Sequence, residues 1–135
     1  MSVEFQLRVV TPRAAVVEQA VFEVTAPGTV GEFGVLPDHA NFLSSLESGK
    51  LSFRDPRGVK TYAVREGFAE VSENVMIVLT EAAEPAGEID TARARDDLQA
   101  AEAELEHLAP IDPAFDDAEA KRRWAQARLD VAGAR

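Results

Sequence analysis

A chain of 135 residues, 46% of them hydrophobic, can build the core of one ordinary domain, or of a small domain with an appendage, so disorder throughout is excluded. Its 24 acidic against 14 basic residues give a net charge of −10, which repels the phosphates of nucleic acid and of anionic lipid as general partners. The absence of cysteine removes disulfide frameworks and thiolate metal sites, which is compatible with the cytoplasm without fixing the redox compartment.

The chain opens with Val3, Phe5, Leu7 and Val9 alternating with Glu4, Gln6 and Arg8, the period of a strand with one buried face. This amphipathic start is unlike a basic segment followed by an apolar one, and apolar runs such as Val75 to Leu79 are far too short to cross a bilayer. A soluble, unprocessed chain is the expectation. A second strand is predicted over Val21 to Thr25, and then the pattern breaks. From Gly28 to Ala40 three glycines and Pro37 surround Glu32, Asp38 and His39, which predicts an elaborate loop that touches a ligand, a substrate or another protein.

Further short strands are predicted over Leu51 to Arg54, Val59 to Arg65, Phe68 to Ser72 and Val75 to Thr80. Asp55-Pro56-Arg57-Gly58, Glu66-Gly67 and Glu73-Asn74 separate successive pairs, and such close turns imply antiparallel neighbours. The reading is an antiparallel β-sandwich or flattened barrel over residues 1–86, ended by Glu84-Pro85-Ala86-Gly87.

Over residues 87–135 the spacing becomes helical. Leu98, Ala101, Leu105 and Leu108 form a narrow stripe behind Asp90, a ready N-cap, and the helix ends before Pro110. Asp112-Pro113 begins a second helix, with Asp116, Asp117 and Glu119 at its positive end and Gly133 to close it. Apolar residues lie on two adjacent lines: Ala118, Ala125, Leu129 and Ala132, then Ala120, Trp124, Ala127 and Val131. The pair is an antiparallel hairpin. Two alanine-rich helices of about 20 residues, each ~30 Å long, bury too little to be robust alone. The hairpin is therefore expected to depend on a docking surface, on the sandwich or on another protein. Together the halves make an α+β chain.

Residues suited to catalysis are few. His39 and His107 are the two histidines, and His107 falls at a helix C-terminus, where it suits carbonyl groups. His39 with Asp38 and Glu32 is the constellation an enzyme could use, but neighbours in a loop do not make a triad, and no catalytic, metal or phosphate-loop set accompanies them. Folding the hairpin about Pro110 to Pro113 brings Arg93 near the level of Arg128. Their repulsion calls for Glu84, Asp90 or Asp130 as partners, or for a bound anion such as a phosphate.

The chain resembles the epsilon subunit of a bacterial F-type ATP synthase over essentially its whole length. The resemblance rests on Gly31-Glu32-Phe33-Gly34-Val35-Leu36-Pro37-Asp38-His39-Ala40, on Gly49, on Gly67-Phe68-Ala69-Glu70-Val71, and on Ile89-Asp90-Thr91-Ala92-Arg93-Ala94. It implies a noncatalytic central-stalk subunit, peripheral on the cytoplasmic face of the bacterial inner membrane. Its sandwich would pack on the gamma subunit and on the ring of c subunits, with Glu32, Phe33, Pro37 and His39 as contact positions. Its hairpin would either fold on the sandwich or extend along gamma into the alpha and beta subunits of the catalytic head, hindering ATP hydrolysis. In some relatives ATP, acting as a regulatory ligand and not as a required cofactor, stabilises the folded form. Ile89, Asp90, Arg93 and Arg128 match that motif, with Glu84 a further contact, whereas Trp124 stands where those relatives carry another arginine. A reading from a different class is a stand-alone small-molecule-binding β-domain whose hairpin serves dimerisation.

Overall fold

The computed structural model describes residues 3–133, so the outermost residues of both predicted segments lie outside it. Ten strands run in order: β1 (Phe5–Val10), β2 (Ala15–Val21), β3 (Glu23–Gly28), β4 (Gly31–Val35), β5 (Phe42–Leu46), β6 (Gly49–Asp55), β7 (Gly58–Val64), β8 (Gly67–Ser72), β9 (Val75–Thr80) and β10 (Ala83–Pro85). A short 3-10 turn, Ala86–Glu88, leads to α1 (Thr91–Glu106) and α2 (Pro113–Gly133). Strand order among the described residues is β10-β7-β6-β3-β5-β8-β9-β1-β2, with β4 added to β3. The sheet folds over one core in which Leu7, Val24, Leu46, Phe53, Met76 and Val78 are fully enclosed.

The N-terminal alternation places Phe5, Leu7 and Val9 inside, and the same period recurs through β8 and β9. Four strands escaped the sequence reading. β2 runs Ala15-Val16-Val17 together and then sets Glu18 beside Gln19, β5 carries two serines, and β10 has three residues, so none shows a clean apolar alternation. β4 corrects the predicted loop: the segment after Gly28 is half strand, pairing from Gly28↔Gly31 to Val24↔Val35 around a two-residue Thr29-Val30 turn. Gly31 makes that turn with φ 129°, a conformation that disfavours a Cβ.

Turn chemistry identified partners correctly at two of three places. Asp55↔Gly58 and Ser72↔Val75 close tight hairpins, the latter through Glu73 and Asn74, both at positive φ. The Glu66-Gly67 connection does not: β7 pairs with β6 and β10, while β8 pairs with β5 and β9. Here the chain crosses between layers. The crossing is held by Thr80 Oγ1 donating to Arg65 O and Arg65 N donating to Ala82 O. One further pairing, β1 with β9, is parallel, joining segments too distant in sequence for any turn to announce.

Asp90 caps α1 by accepting the Arg93 amide at 3.0 Å, and Asp112 starts α2 by accepting the Ala114 amide at 2.9 Å. The backbone of His107 closes α1. α2 lies over β6 and β7, with α1 packed on α2. Both predicted apolar lines of α2 supply buried residues, because the helix has neighbours on two sides. The buried side chains of the hairpin are Ala94, Ala101, Ala118, Ala125, Ala127 and Val131, together with Arg128. Each alanine methyl contributes roughly 0.8 kcal/mol at best, so the apolar contribution to docking is small.

Candidate functional site

Two regions gather the residues singled out by sequence. The first is β4 with the segment after it. Alternation turns Phe33 and Val35 toward the core and leaves Glu32 exposed. Phe33 meets Phe42 edge-on with ring centroids 5.1 Å apart, and the His39 ring lies 5.1 Å from the same Phe42. Pro37 is half-buried beside them. His39 N donates to Leu36 O at 3.2 Å, and its ring Nδ1 lies 2.7 Å from Ala40 O, which makes Nδ1 the donor. The imidazole is thereby held in one orientation by its own backbone.

Two asparagines that sequence reasoning missed fix this segment. Asn74 Oδ1 accepts the Asp38 amide at 2.8 Å, and Asn74 Nδ2 donates to Glu4 O at 3.0 Å. Asn41 Oδ1 accepts the Glu73 amide at 3.3 Å. Asp38 itself sits at φ 62°. The turn reading of Glu73-Asn74 carried no sign of the segment that the Asn74 side chain binds, and Asn41 carried no signal at all. Among the described residues no hydrogen bond or ion pair joins Glu32 to His39. The two are strung along β4 and its continuation, not converged on one pocket, and the arrangement makes a shaped surface. Beside it Val30, at the hairpin tip, is 99% exposed, with Thr29 anchored to Ser45 through hydroxyls 2.7 Å apart.

The second region is the junction of hairpin and sandwich. Arg93 and Arg128 do share one end of the hairpin, and the carboxylate between them is Asp97, which sequence reasoning left out. Its Oδ1 takes Arg93 Nε at 3.3 Å, and its Oδ2 takes Arg128 Nη1 at 3.5 Å. Glu84 on β10 accepts Arg128 Nε at 2.9 Å. The other two expected partners act elsewhere: Asp90 caps α1 and Asp130 accepts from Gln126. The Arg128 guanidinium carbon lies over the Trp124 ring, 5.7 Å from its centroid. Ile89 is half-buried ahead of the cap. Lower on α2, Arg122 pairs with Glu119, and that hydrogen bond is the chief reason the Glu119 carboxyl is lowered from its ordinary value.

Among the described residues no cluster of histidine and carboxylate side chains could hold a metal ion, and no helix is long and apolar enough to cross a membrane. The ATP synthase delta/epsilon chain beta-sandwich domain matches residues 4–86. The ATP synthase epsilon chain 2 of Syntrophotalea carbinolica is 41% identical over 133 residues, covering 98% of this chain and 96% of that one. The epsilon chain of Trichlorobacter lovleyi is 43% identical over the same coverage. Among solved structures, a chain of the Euglena gracilis mitochondrial ATP synthase shares the fold with a TM-score of 0.81 at 24% identity, covering 98% of this chain and 82% of its own. A chain of the Tetrahymena thermophila mitochondrial ATP synthase central stalk and c ring does so with a TM-score of 0.64 at 12% identity, over 94% of this chain and 95% of its own. Taken with the sandwich, the capped hairpin and the near-complete coverage, these likenesses show that the chain belongs to the family of ATP synthase epsilon chains.

Proposed function

We propose that this chain is a noncatalytic central-stalk subunit of an F-type ATP synthase, coupling rotation of the c ring to ATP synthesis and restraining ATP hydrolysis through its C-terminal helices. The observation that carries the reading is identity of 41–43% to bacterial ATP synthase epsilon chains over 98% of the chain, hairpin included. Residues 1–86 act as the docking unit and 87–135 as the regulatory one. Gamma and the c ring are the partners of the sandwich, and the alpha and beta subunits those of the extended hairpin. The complex lies on the cytoplasmic face of the bacterial inner membrane, to which this subunit is attached only through its partners.

Glu32, Phe33, Pro37 and His39 are the contact positions in this reading. Its physical support is a surface held rigid by backbone and asparagine bonds, so that association costs little ordering of the loop. A regulatory ATP at Ile89, Asp90, Arg93 and Arg128 would have to displace Asp97 from both arginines and Glu84 from Arg128. The test of the function is a binding titration against the gamma subunit. Formation of a stable pair that joins a rotary complex supports it. A chain that remains a monomer or homodimer without affinity for gamma would sink it, and would favour a stand-alone β-domain with a helical dimerisation element.

A further inference from the structure

Arg128 is buried, at 8% exposure, in a chain whose other helical arginines lie closer to solvent. Its guanidinium draws on three elements: Nε on Glu84 of β10 at 2.9 Å, Nη1 on Asp97 of α1 at 3.5 Å, and the ring of Trp124 on α2 itself. We propose that Glu84 and Arg128 form a charge latch, with Asp97 of α1 orienting the guanidinium, that holds the hairpin on the sandwich without a bound nucleotide, so that breaking it releases the hairpin toward the form that restrains ATP hydrolysis. The inference rests on the regulatory reading of the hairpin given above.

Three observations lead to the latch. The apolar part of the docking surface is mainly alanine methyls, so polar contacts carry unusual weight in deciding whether the hairpin stays closed. Removing one carboxylate leaves a buried cation incompletely paired, which costs more than the intact pair contributes. Finally, Glu84 and Asp97 remain 33% and 44% exposed, so water reaches all three charges once the helices lift, and opening carries no stranded charge. A contact that is demanding when closed and readily hydrated when open suits a reversible switch. Asp97 also neutralises Arg93 at 3.3 Å, so both guanidiniums already hold the carboxylates that a phosphate would have to replace.

The experiment follows amide hydrogen exchange residue by residue on the full chain. Glu84→Gln and, separately, Asp97→Asn are expected to lower protection across α2 by about tenfold or more while β6, β8 and β9 keep theirs. Millimolar ATP added to the unaltered chain should leave α2 protection within about twofold. In the reconstituted complex, Glu84→Gln should lower ATP hydrolysis, whereas removing residues 88–135 should raise it. The latch is overturned if α2 protection is unchanged in both variants, if ATP alone raises it tenfold, or if Glu84→Gln raises hydrolysis as the deletion does. Loss of gamma binding in the unaltered chain would instead overturn the assignment of function, leaving the exchange result on the free chain to stand or fall separately.

Discussion

Asn74 accepts the amide of Asp38 through its side-chain oxygen at 2.8 Å, across 36 residues of sequence. The same side chain donates to Glu4 O, while the Asn74 backbone, at φ 62°, makes the tight β8–β9 turn and accepts from Gln6 N. One residue thus joins the turn, the first strand and the segment that carries His39. Asn74→Ala removes both side-chain bonds and leaves the backbone at positive φ without the short polar side chain that lets Asn tolerate it, and should cost about 2 kcal/mol. Asn74→Gly relieves the backbone strain but not the lost bonds, and should recover about half of that. Urea midpoints of the two variants test this; equal losses would mean that the backbone carries none of the effect.

Gly67 is the glycine whose replacement the fold resists most directly. A Cβ there would run into the carbonyl oxygen of Leu79 on the paired strand, which is backbone and cannot swing away. Gly67→Ala should destabilise the chain by about 3 kcal/mol or fail to fold. At Gly34 in β4 the nearest atom to such a Cβ is Val24 O at 3.8 Å, an ordinary contact. Gly34→Ala should stay within about 0.5 kcal/mol in thermal or urea unfolding. A large loss there would show that the glycine is needed for the fold and not for what approaches it.

These two positions mark how far the sequence was legible. Clean alternation in β1, β8 and β9 and the Asp90 and Asp112 caps are local signals, and each produced the element it announced. β2, β4, β5 and β10 are held by neighbours more than by their own patterns, so stretches without a clean alternation became strands through pairing. The junction was half legible. Helical geometry brought Arg93 and Arg128 to one end, but Asp97 was not among the partners expected for them, and nothing local distinguishes a carboxylate that turns inward. Asn74 and Asn41 act across long sequence separations, and a single sequence carries no signal for such partners.

Asp55 links stability to acid. It is 4% exposed and its pKa is lowered, first by the side-chain hydrogen bond from Gln19, then by the Arg57 amide, with Lys60 and Arg57 adding attraction against the opposing effect of burial. A depressed carboxylate contributes stability above its unfolded value of about 3.9 and loses it as pH falls through the folded value. Asp55→Asn should therefore be less stable than the parent at pH 7, and the gap should narrow as pH drops below about 4. Urea unfolding of both chains from neutral pH to pH 3 measures the gap; a constant difference would remove Asp55 from the acid response.

His39 and Glu32 separate contact from scaffold. The His39 ring bonds to Ala40 O and touches Phe42, so His39→Ala should cost about 1 kcal/mol of stability, whereas Glu32→Ala on an exposed strand face should cost almost nothing. If both positions meet gamma or the c ring, each replacement should weaken association with the rotor about tenfold, corresponding to ~1.4 kcal/mol. Titration of the variants against the purified rotor compares the two effects. Affinity lost only in His39→Ala, and in proportion to its lost stability, would make the loop a structural element and not an interface.

Removal of the hairpin tests the division of labour between the two segments. The main hydrophobic cluster is built from strand residues between Phe5 and Val78, with Ala83 packed against it, and includes no residue of α1 or α2. α2 instead covers β6 and β7 from outside, with α1 packed on α2, through alanines, Val131 and Arg128. A chain ending after Gly87 should therefore keep the sandwich, exposing a modest apolar patch and freeing Glu84 to water. In the assembled enzyme the sandwich would still join the rotor, so ATP synthesis should remain coupled, while ATP hydrolysis should rise because the inhibitory helices are gone. Paired measurements of hydrolysis and of proton-driven synthesis on the same preparation check both halves of the expectation. Hydrolysis unchanged by the truncation would deny the helices a regulatory role. Loss of coupled synthesis with a folded sandwich would mean that the hairpin transmits force as well as restraining turnover.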